Sequence, residues 1–357
     1  MLDLNNKRIF IAGGSGSWGN ELTKQILRRY NPLEIRIYSR GEIRQWEMKK
    51  KFKNNPKLKF IIGDVRDLER TKIALKNVDY AFHLAALKHV PVCEENPNET
   101  VLTNIIGTQN IISGAIENGV GTVALISTDK AVDPLNLYGI TKSCAERLII
   151  AANNTAPNTR FVCVRGGNVL GTSGSIVPLA REQILRDGKI TLTDERMTRF
   201  FLNLESAIGL IFKSIEDSVG GEIFVMKMPS VRIVDLLQVM IDELSDKEIP
   251  ISKIGIRPGE KIHEVLVSRY DTGRVIDEGD YFIILPLIHL PKIKEKYAER
   301  VFISDTEYGS NSAGPLGKDE IREMLERDGW LDKEGPSEIS YELKKDLGKL
   351  PEGVQYV

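Results

Sequence analysis

Apolar residues in the first half of the chain come in short runs separated by longer amphipathic stretches. The runs "KRIFIAGG" (7–14), "EIRIYS" (34–39), "LKFIIGD" (58–64), "VDYAFHLAA" (78–86), "TVALIS" (122–127) and "RFVCVRG" (160–166) are mostly apolar without strict alternation. Strands of that kind are covered on both faces, as in a parallel sheet. The stretches between them predict helices over roughly 19–29, 42–53, 68–76, 98–118 and 137–153. This repeated βα order predicts an α/β fold, a Rossmann-type doubly wound parallel sheet.

From about residue 170 the pattern becomes irregular. It predicts a helix over 178–187, a strand over 222–226 and a helix over 232–244, while "IGIRPGEKIHE" (254–264) reads as a strand followed by a turn. The expected organisation is a dinucleotide-binding domain over 1–170, to which later segments can return. A smaller mixed α/β substrate-binding lobe is expected over 171–330, above the strand ends, followed by a polar tail over 331–357. No internal repeat or low-complexity tract is present.

Composition narrows the class. The 357 residues are 41% hydrophobic and 28% charged, which excludes a disordered chain and a disulfide-stapled scaffold. With 49 basic and 50 acidic residues the formal charge is −1, so no general attraction to nucleic acid or an anionic membrane follows. An anionic substrate would need a local basic pocket. Cys93, Cys144 and Cys163 are scattered, with neither metal-ligand spacing nor a disulfide framework, so no metal is expected and a reducing compartment is. The N-terminal "MLDLNNKRIFIAGG" has no signal-peptide pattern, and no run of about 18 apolar residues exists. A cytoplasmic location without membrane insertion is expected.

Candidate chemistry begins in "GGSGSWG", where Gly13, Gly16 and Gly19 separate the first strand from the first helix. A tight turn, close backbone approach to a pyrophosphate and a helix N-terminus aimed at its charge require glycines there. Ser15, Ser17 and Trp18 fill the loop and are further cofactor candidates. The second strand ends in "YSRGE", with Ser39 and Arg40 where an NAD site carries an acidic residue. A guanidinium accepts a 2′-phosphate, which favours NADP over NAD. The plain alternative is a solvated surface arginine, and the nearby Glu42 weighs on that side. Asp64 and Val65, after the third strand, are placed for adenine contacts, and Ala85 and Ala86, after the fourth, complete the cofactor set.

In "STDKAVDPLNLYGITKSCAER", Tyr138 and Lys142 are four apart on a predicted helix and share a face. They follow the fifth strand at the carboxyl edge of the sheet, where such folds bind ligands. A lysine ammonium near a phenol favours the phenolate, which makes Tyr138 a candidate base. Thr128, Asp129 and Lys130 add a hydroxyl, an acid and an amine. An adjacent Asp-Lys is most often a solvated pair in a turn, but here it directly follows a central strand.

These motifs, with "HLAALKHVPVCEENP", "GNVLGTSGSIVP", "LTDERMTRFFLNLESA", "GGEIFVMKMPS" and "IRPGEKIHE", resemble an extended short-chain dehydrogenase/reductase over about residues 5–310. Within that superfamily the chain is most similar to the inverting UDP-N-acetylglucosamine 4,6-dehydratases that open the pseudaminic acid pathway. The resemblance implies a tightly bound, recycled NADP. It implies hydride removal from C4 of the sugar with Tyr138 and Thr128 assisting, and Lys142 holding the nicotinamide ribose. Lys130 would then take the C5 proton, Asp129 would protonate the departing C6 hydroxyl, and hydride would return to C6. The product would be UDP-2-acetamido-2,6-dideoxy-β-L-arabino-hexos-4-ulose, a precursor of surface glycans or nonulosonates. Configuration-retaining, membrane-bound relatives carry methionine where this chain has Tyr138, and transmembrane segments that it lacks.

The resemblance further places Lys88 beside cofactor and sugar, Asn104 in support of the cofactor or a nearby water, and Asn168 at the substrate diphosphate. Ser175, Val177 and Pro178 would open a helix beside it, with Thr193 also on the substrate. Arg199 and Arg257 are expected at the diphosphate or uridine ribose and Glu260 at ribose hydroxyls, with surface ion pairs as their plain alternative. His89 is read as a packed histidine rather than a ligand. The family usually has an aromatic residue where this chain has Gly166. Its members commonly form homo-oligomers, often hexamers. Two alternatives share the fold: a UDP-sugar 4-epimerase, which has no use for Asp129 and Lys130 as an elimination pair, and a configuration-retaining nucleotide-sugar dehydratase. A non-catalytic NADP-sensing module would not need Tyr138, Lys142 and the acid–base pair together.

Overall fold

Six strands form where the apolar runs lie: β1 (Arg8–Ala12), β2 (Glu34–Ser39), β3 (Leu58–Ile62), β4 (Tyr80–His83), β5 (Thr122–Thr128) and β6 (Arg160–Gly166). The computed structural model describes residues 2–170, 175–303 and 307–332, so all but the first two residues of the expected polar tail lie outside the described residues. The strands pair in parallel in the order β6-β5-β4-β1-β2-β3. The order reverses between β1 and β4, which makes the crevice at their carboxyl ends the ligand position of this architecture. Three further strands continue the sheet beyond β6. Ile223–Met226 is parallel to it, and Tyr281–Ile284 and Val275–Asp277 follow antiparallel.

Helices α1 (Ser17–Arg29), α2 (Glu42–Lys51), α3 (Leu68–Ala74), α4 (Val90–Glu95), α5 (Pro97–Val101), α6 (Gly107–Glu117) and α7 (Leu137–Ala152) connect the first six strands. The single helix expected over 98–118 is interrupted. Pro97 starts α5, and Leu102–Ile106 winds as a π-helical turn before α6. Such turns are frequent at functional sites.

The sheet carries the core. Ile9, Ile11, Ile35, Ile37, Phe82, Ala124 and Val162 are fully buried, and α1 adds Leu22 and Ile26. Each large apolar side chain buried this way contributes roughly 1.5–3 kcal/mol. Helix Leu204–Asp217, which the irregular pattern did not reveal, adds Ile208, Ile211, Phe212 and Ile215 to the same cluster.

The chain divides into two compact units. The first comprises Met1–Gly166, Leu204–Lys227 and Val265–Glu307. The second comprises Gly167–Asn203, Met228–Glu264 and the chain from Tyr308 onward. The second lobe is therefore discontinuous rather than one run from 171 to 330, because the strands at 223–226, 275–277 and 281–284 complete the first unit's sheet.

The second unit has its own core, including Val177, Ile184, Phe201, Val231, Leu236, Leu237, Met240, Ile321 and Leu325. The helix expected over 178–187 begins at Ile176 and ends in a π-helical turn closed by Gly188 at φ +61°. The helix expected over 232–244 is Ile233–Leu244. The strand expected near 254–264 lies earlier, at Ile251–Lys253, paired with Ile190–Leu192. Gly255 and Gly259, at φ +84° and +75°, turn the chain out of extended pairing there.

Candidate active site

The glycine loop is built for close backbone approach. Gly13 has φ +74°, and a Cβ there would lie 2.8 Å from the Ala85 nitrogen. A Cβ on Gly19 would lie 2.2 Å from the Gly14 carbonyl oxygen. Any other residue would push α1 off the loop. Gly16 caps α1 without a side chain, so the first N–H groups of this 13-residue helix face the loop. That cradle fits a dinucleotide pyrophosphate. Trp18 lies beside Gly166: a Cβ there would meet its ring at 3.8 Å.

At the end of β2, Ser39 is half-buried and held by neighbouring side chains. The Ser15 hydroxyl donates to Ser39 Oγ at 2.9 Å, and Gln45 Nε2 donates to the same oxygen at 3.0 Å. Arg40 projects outward, 56% exposed, with one guanidinium nitrogen 3.9 Å from Asp64 Oδ2. Asp64 is engaged chiefly by Arg66, which donates to Oδ2 at 2.8 and 2.6 Å. Burial opposes the Asp64 charge, but the Arg66 bonds and Arg40 outweigh it and hold the carboxyl below its ordinary range. Val65 is buried, and its carbonyl accepts from Asn110 at 2.8 Å.

The polar cluster forms where β5 ends. The Thr128 hydroxyl donates to Asp129 Oδ1 at 2.7 Å. The Lys130 amide and ammonium donate to the same oxygen at 2.9 and 3.2 Å. Asp129 is 1% exposed, and its Oδ2 has no hydrogen-bond partner among the described residues. A buried carboxylate oxygen without a partner is costly, and such groups are concentrated at sites that react. Burial pushes the Tyr138 phenol up to about 12, while Lys130 and a hydrogen bond with Thr128 pull it down. The resting phenol is therefore neutral, opposite to the shift expected from Lys142. The Lys142 ammonium instead donates to the Ile126 carbonyl at 2.7 Å, and burial lowers it to about 8. Lys88 is lowered by burial and by the charge of Lys130.

Local bonds hold the phenol-bearing helix. Asn136 caps α7 by accepting from Gly139 N–H at 2.9 Å, and Glu94 of α4 accepts from Leu137 N–H at 2.7 Å. A Cβ on Gly139 would lie 2.1 Å from the Lys130 carbonyl oxygen, so glycine lets α7 touch the Asp129–Ala131 turn. Asn104, in the π-helical turn, exchanges hydrogen bonds with both backbone groups of Leu87 and donates to Thr141 of α7 at 3.0 Å. It thereby joins the segment after β4, which carries Ala85, Ala86 and Lys88, to α7, which carries Tyr138 and Lys142. His89 is exposed at the N-cap of α4 rather than packed. The buried histidine is His83, lowered to about 3 by burial and then by Lys142.

The substrate candidates Asn168, Ser175, Val177, Pro178, Thr193, Arg199, Arg257 and Glu260 all belong to the second unit. Ser175 Oγ, just before helix Ile176–Glu182, is buried with no partner among the described residues. Val177 and Pro178 are buried in that helix. The Thr193 hydroxyl donates to Met197 Sδ at 2.9 Å. Arg257 and Glu260 bracket a turn, with Glu260 N–H donating to the Arg257 carbonyl at 3.1 Å. Arg199 is buried, and its guanidinium donates to the carbonyls of Thr198, Ile262 and Lys261 at 2.8–2.9 Å. It clamps the 260–264 segment, a role its position in "RMTRFF" did not disclose.

Residues 9–286 match the family described as polysaccharide biosynthesis protein. The chain belongs to that family. Similar members include a UDP-N-acetylglucosamine 4,6-dehydratase (inverting) of Campylobacter jejuni, 43% identical over 88% of this chain and 90% of the relative. A UDP-glucose 4-epimerase of Rickettsia canadensis is 39% identical over 90% of this chain and 95% of its own. The X-ray structure of Pen from Bacillus thuringiensis superimposes with a TM-score of 0.84 at 37% identity, covering 91% of this chain and all of that one.

Among the described residues of this family member, no helix is long and apolar enough to cross a membrane, and no His, Cys, Asp and Glu side chains group to hold a metal ion. Thr128, Asp129, Lys130, Tyr138 and Lys142 all belong to β5, the turn after it and α7. Glu94 was not singled out from the sequence. Its only signal was a place in "HVPVCEENP", and its contact with Leu137 spans 43 residues.

Proposed function

We propose that this protein is a UDP-N-acetylglucosamine 4,6-dehydratase that inverts C5, acting in the synthesis of surface-glycan sugars of the pseudaminic acid type. The observation that carries the reading is the buried Asp129, with one oxygen unpartnered and the other bonded to Lys130, beside Thr128 and Tyr138. The name and close similarity of the Campylobacter relative support it.

A nicotinamide dinucleotide, when bound, supplies a reversible hydride acceptor, which makes the elimination redox-neutral. The Gly13–Gly19 turn and the N-terminus of α1 would receive its pyrophosphate. The exposed fork of Arg40 suits a 2′-phosphate, which supports NADP as the cofactor. Tyr138, once its own phenolic proton has been given up, takes the C4 hydroxyl proton with Thr128 bonded to the phenol oxygen. Lys142 would hold the nicotinamide ribose. Lys130 then takes the C5 proton made acidic by the 4-keto group, Asp129 gives a proton to the C6 hydroxyl, which leaves as water, and C5 regains a proton from solvent on its opposite face, which inverts it. Ser175, Arg257 and Glu260 are the second unit's candidates for the nucleotide. Val92, Val101, Leu102, Leu135 and Ile140 are exposed on or beside α4, α5 and α7, an apolar face that suits assembly with further copies of the chain.

The Rickettsia relatives' name favours a second reading, 4-epimerisation. Mass spectrometry after incubation with UDP-N-acetylglucosamine separates the two. The dehydratase gives a product lighter by one water, whereas an isomer of unchanged mass would favour the epimerase.

A further inference from the structure

The segment from Val132 to Asn136 joins the acid–base pair to the helix that carries Tyr138, and Asp133 within it has φ +41°. That left-handed conformation is rare for a residue with a side chain. It is rarer still directly before a proline, here Pro134, which restricts its predecessor to extended backbone. Strain of this kind persists only where surrounding structure imposes it, and it gathers at functional sites.

Ser268 supplies the restraint. Its hydroxyl donates to Asp133 Oδ2 at 2.9 Å and lies 3.2 Å from Oδ1. Ser268 is itself fixed as the cap of the short turn Arg269–Asp271, and its N–H donates to Asp271 Oδ2 at 3.2 Å. Asp271 Oδ2 is 3.6 Å from a guanidinium nitrogen of Arg165 in β6. Arg165 donates to both carboxylate oxygens of Glu146 at 2.9 and 2.8 Å, and to the Leu266 carbonyl at 3.1 Å. Glu146 lies on α7, four residues beyond Lys142. Arg165, Glu146 and Ser268 are all buried.

The circuit thus starts on the segment between Lys130 and Tyr138 and ends on the helix holding Tyr138 and Lys142. We propose that Asp133, through Ser268, is a positioning residue that sets the register of the Asp129–Lys130 pair against Tyr138. Buried ionic networks add little net stability compared with apolar packing of the same volume, so fixing geometry is the better account of this one. The inference rests on the dehydratase reading above.

Ser268→Ala removes the restraint without touching the segment. Asp133→Ala removes it from the other side, and Asp133→Asn keeps both an acceptor oxygen and tolerance of left-handed backbone. The expected result is a kcat lower by roughly tenfold to a hundredfold in Ser268→Ala and Asp133→Ala. KM for UDP-N-acetylglucosamine should be unchanged in both and Tm unchanged in Ser268→Ala, and Asp133→Asn should restore most of the rate and of any Tm lost in Asp133→Ala. Wild-type kcat in Ser268→Ala would overturn the proposal, as would a loss that follows Tm and is not restored by Asp133→Asn. Wild-type protein that releases no dehydrated product would instead defeat the dehydratase reading, so the two failures are distinguishable.

Discussion

Lys130 Nζ lies 3.2 Å from Asp129 Oδ1, a salt bridge with one partner buried and the other a quarter exposed. As an ion pair the proton is on the lysine, whereas elimination needs a free amine and a protonated acid. Both forms hold the same number of protons and differ by one transfer across that contact. A pair arranged this way can take a proton from one carbon and deliver one to a leaving oxygen, and the proton that returns to C5 comes from solvent. Asp129→Asn and Lys130→Ala should each lower dehydration by roughly a hundredfold to ten-thousandfold. Nicotinamide nucleotide binding, followed by fluorescence, should be unchanged. Undiminished turnover in either variant would remove that residue from the mechanism.

Glu94 should matter although it lies outside the reacting cluster. Its carboxylate satisfies the first amide of α7, where an anion also complements the helix N-terminus. Glu94→Ala should cost about 1 kcal/mol of stability in urea unfolding and reduce kcat more than it raises KM. Glu94→Gln keeps an acceptor and should recover most of both.

Lys142 gives the folded protein a pH signature. Its folded value is about 8, against 10.5 as the ordinary value. Between those values the unfolded chain binds more protons, so stability rises with pH across that window. Below about pH 8 the fold carries the full cost of a buried ammonium. Lys142→Met in cofactor-free protein should therefore be more stable than wild type near neutral pH, by up to about 3 kcal/mol less the lost bond to Ile126. The gap should close as pH climbs toward 10.5. Urea unfolding at a series of pH values measures it, and a gap independent of pH would exclude Lys142 as the titrating group.

The first six strands and the polar cluster at the end of β5 were legible because their determinants are local. Apolar runs mark buried parallel strands, and residues 128–142 fall along one strand end, one turn and one helix. What was not legible depends on distant partners. The π-helical turn at Leu102–Ile106 breaks a continuous apolar pattern, and there Asn104 bonds to Leu87 and Thr141. The strands at 223–226, 275–277 and 281–284 are short, and only pairing next to β6 assigns them to the first unit. Arg199 reads as a phosphate fork from its neighbours, but backbone carbonyls around 260–264 claim its donors. The Asp133–Ser268 contact spans 135 residues and leaves no local trace.

The central claim is that a proton leaves C5 and water leaves C6 while hydride passes from C4 to C6. NMR of the protein incubated with UDP-N-acetylglucosamine in D₂O tests it most directly. The account predicts a new C6 methyl signal, deuterium at C5 and couplings of the inverted ring. A 4-epimer with an intact C6 hydroxymethyl group and protium at C5 would contradict it.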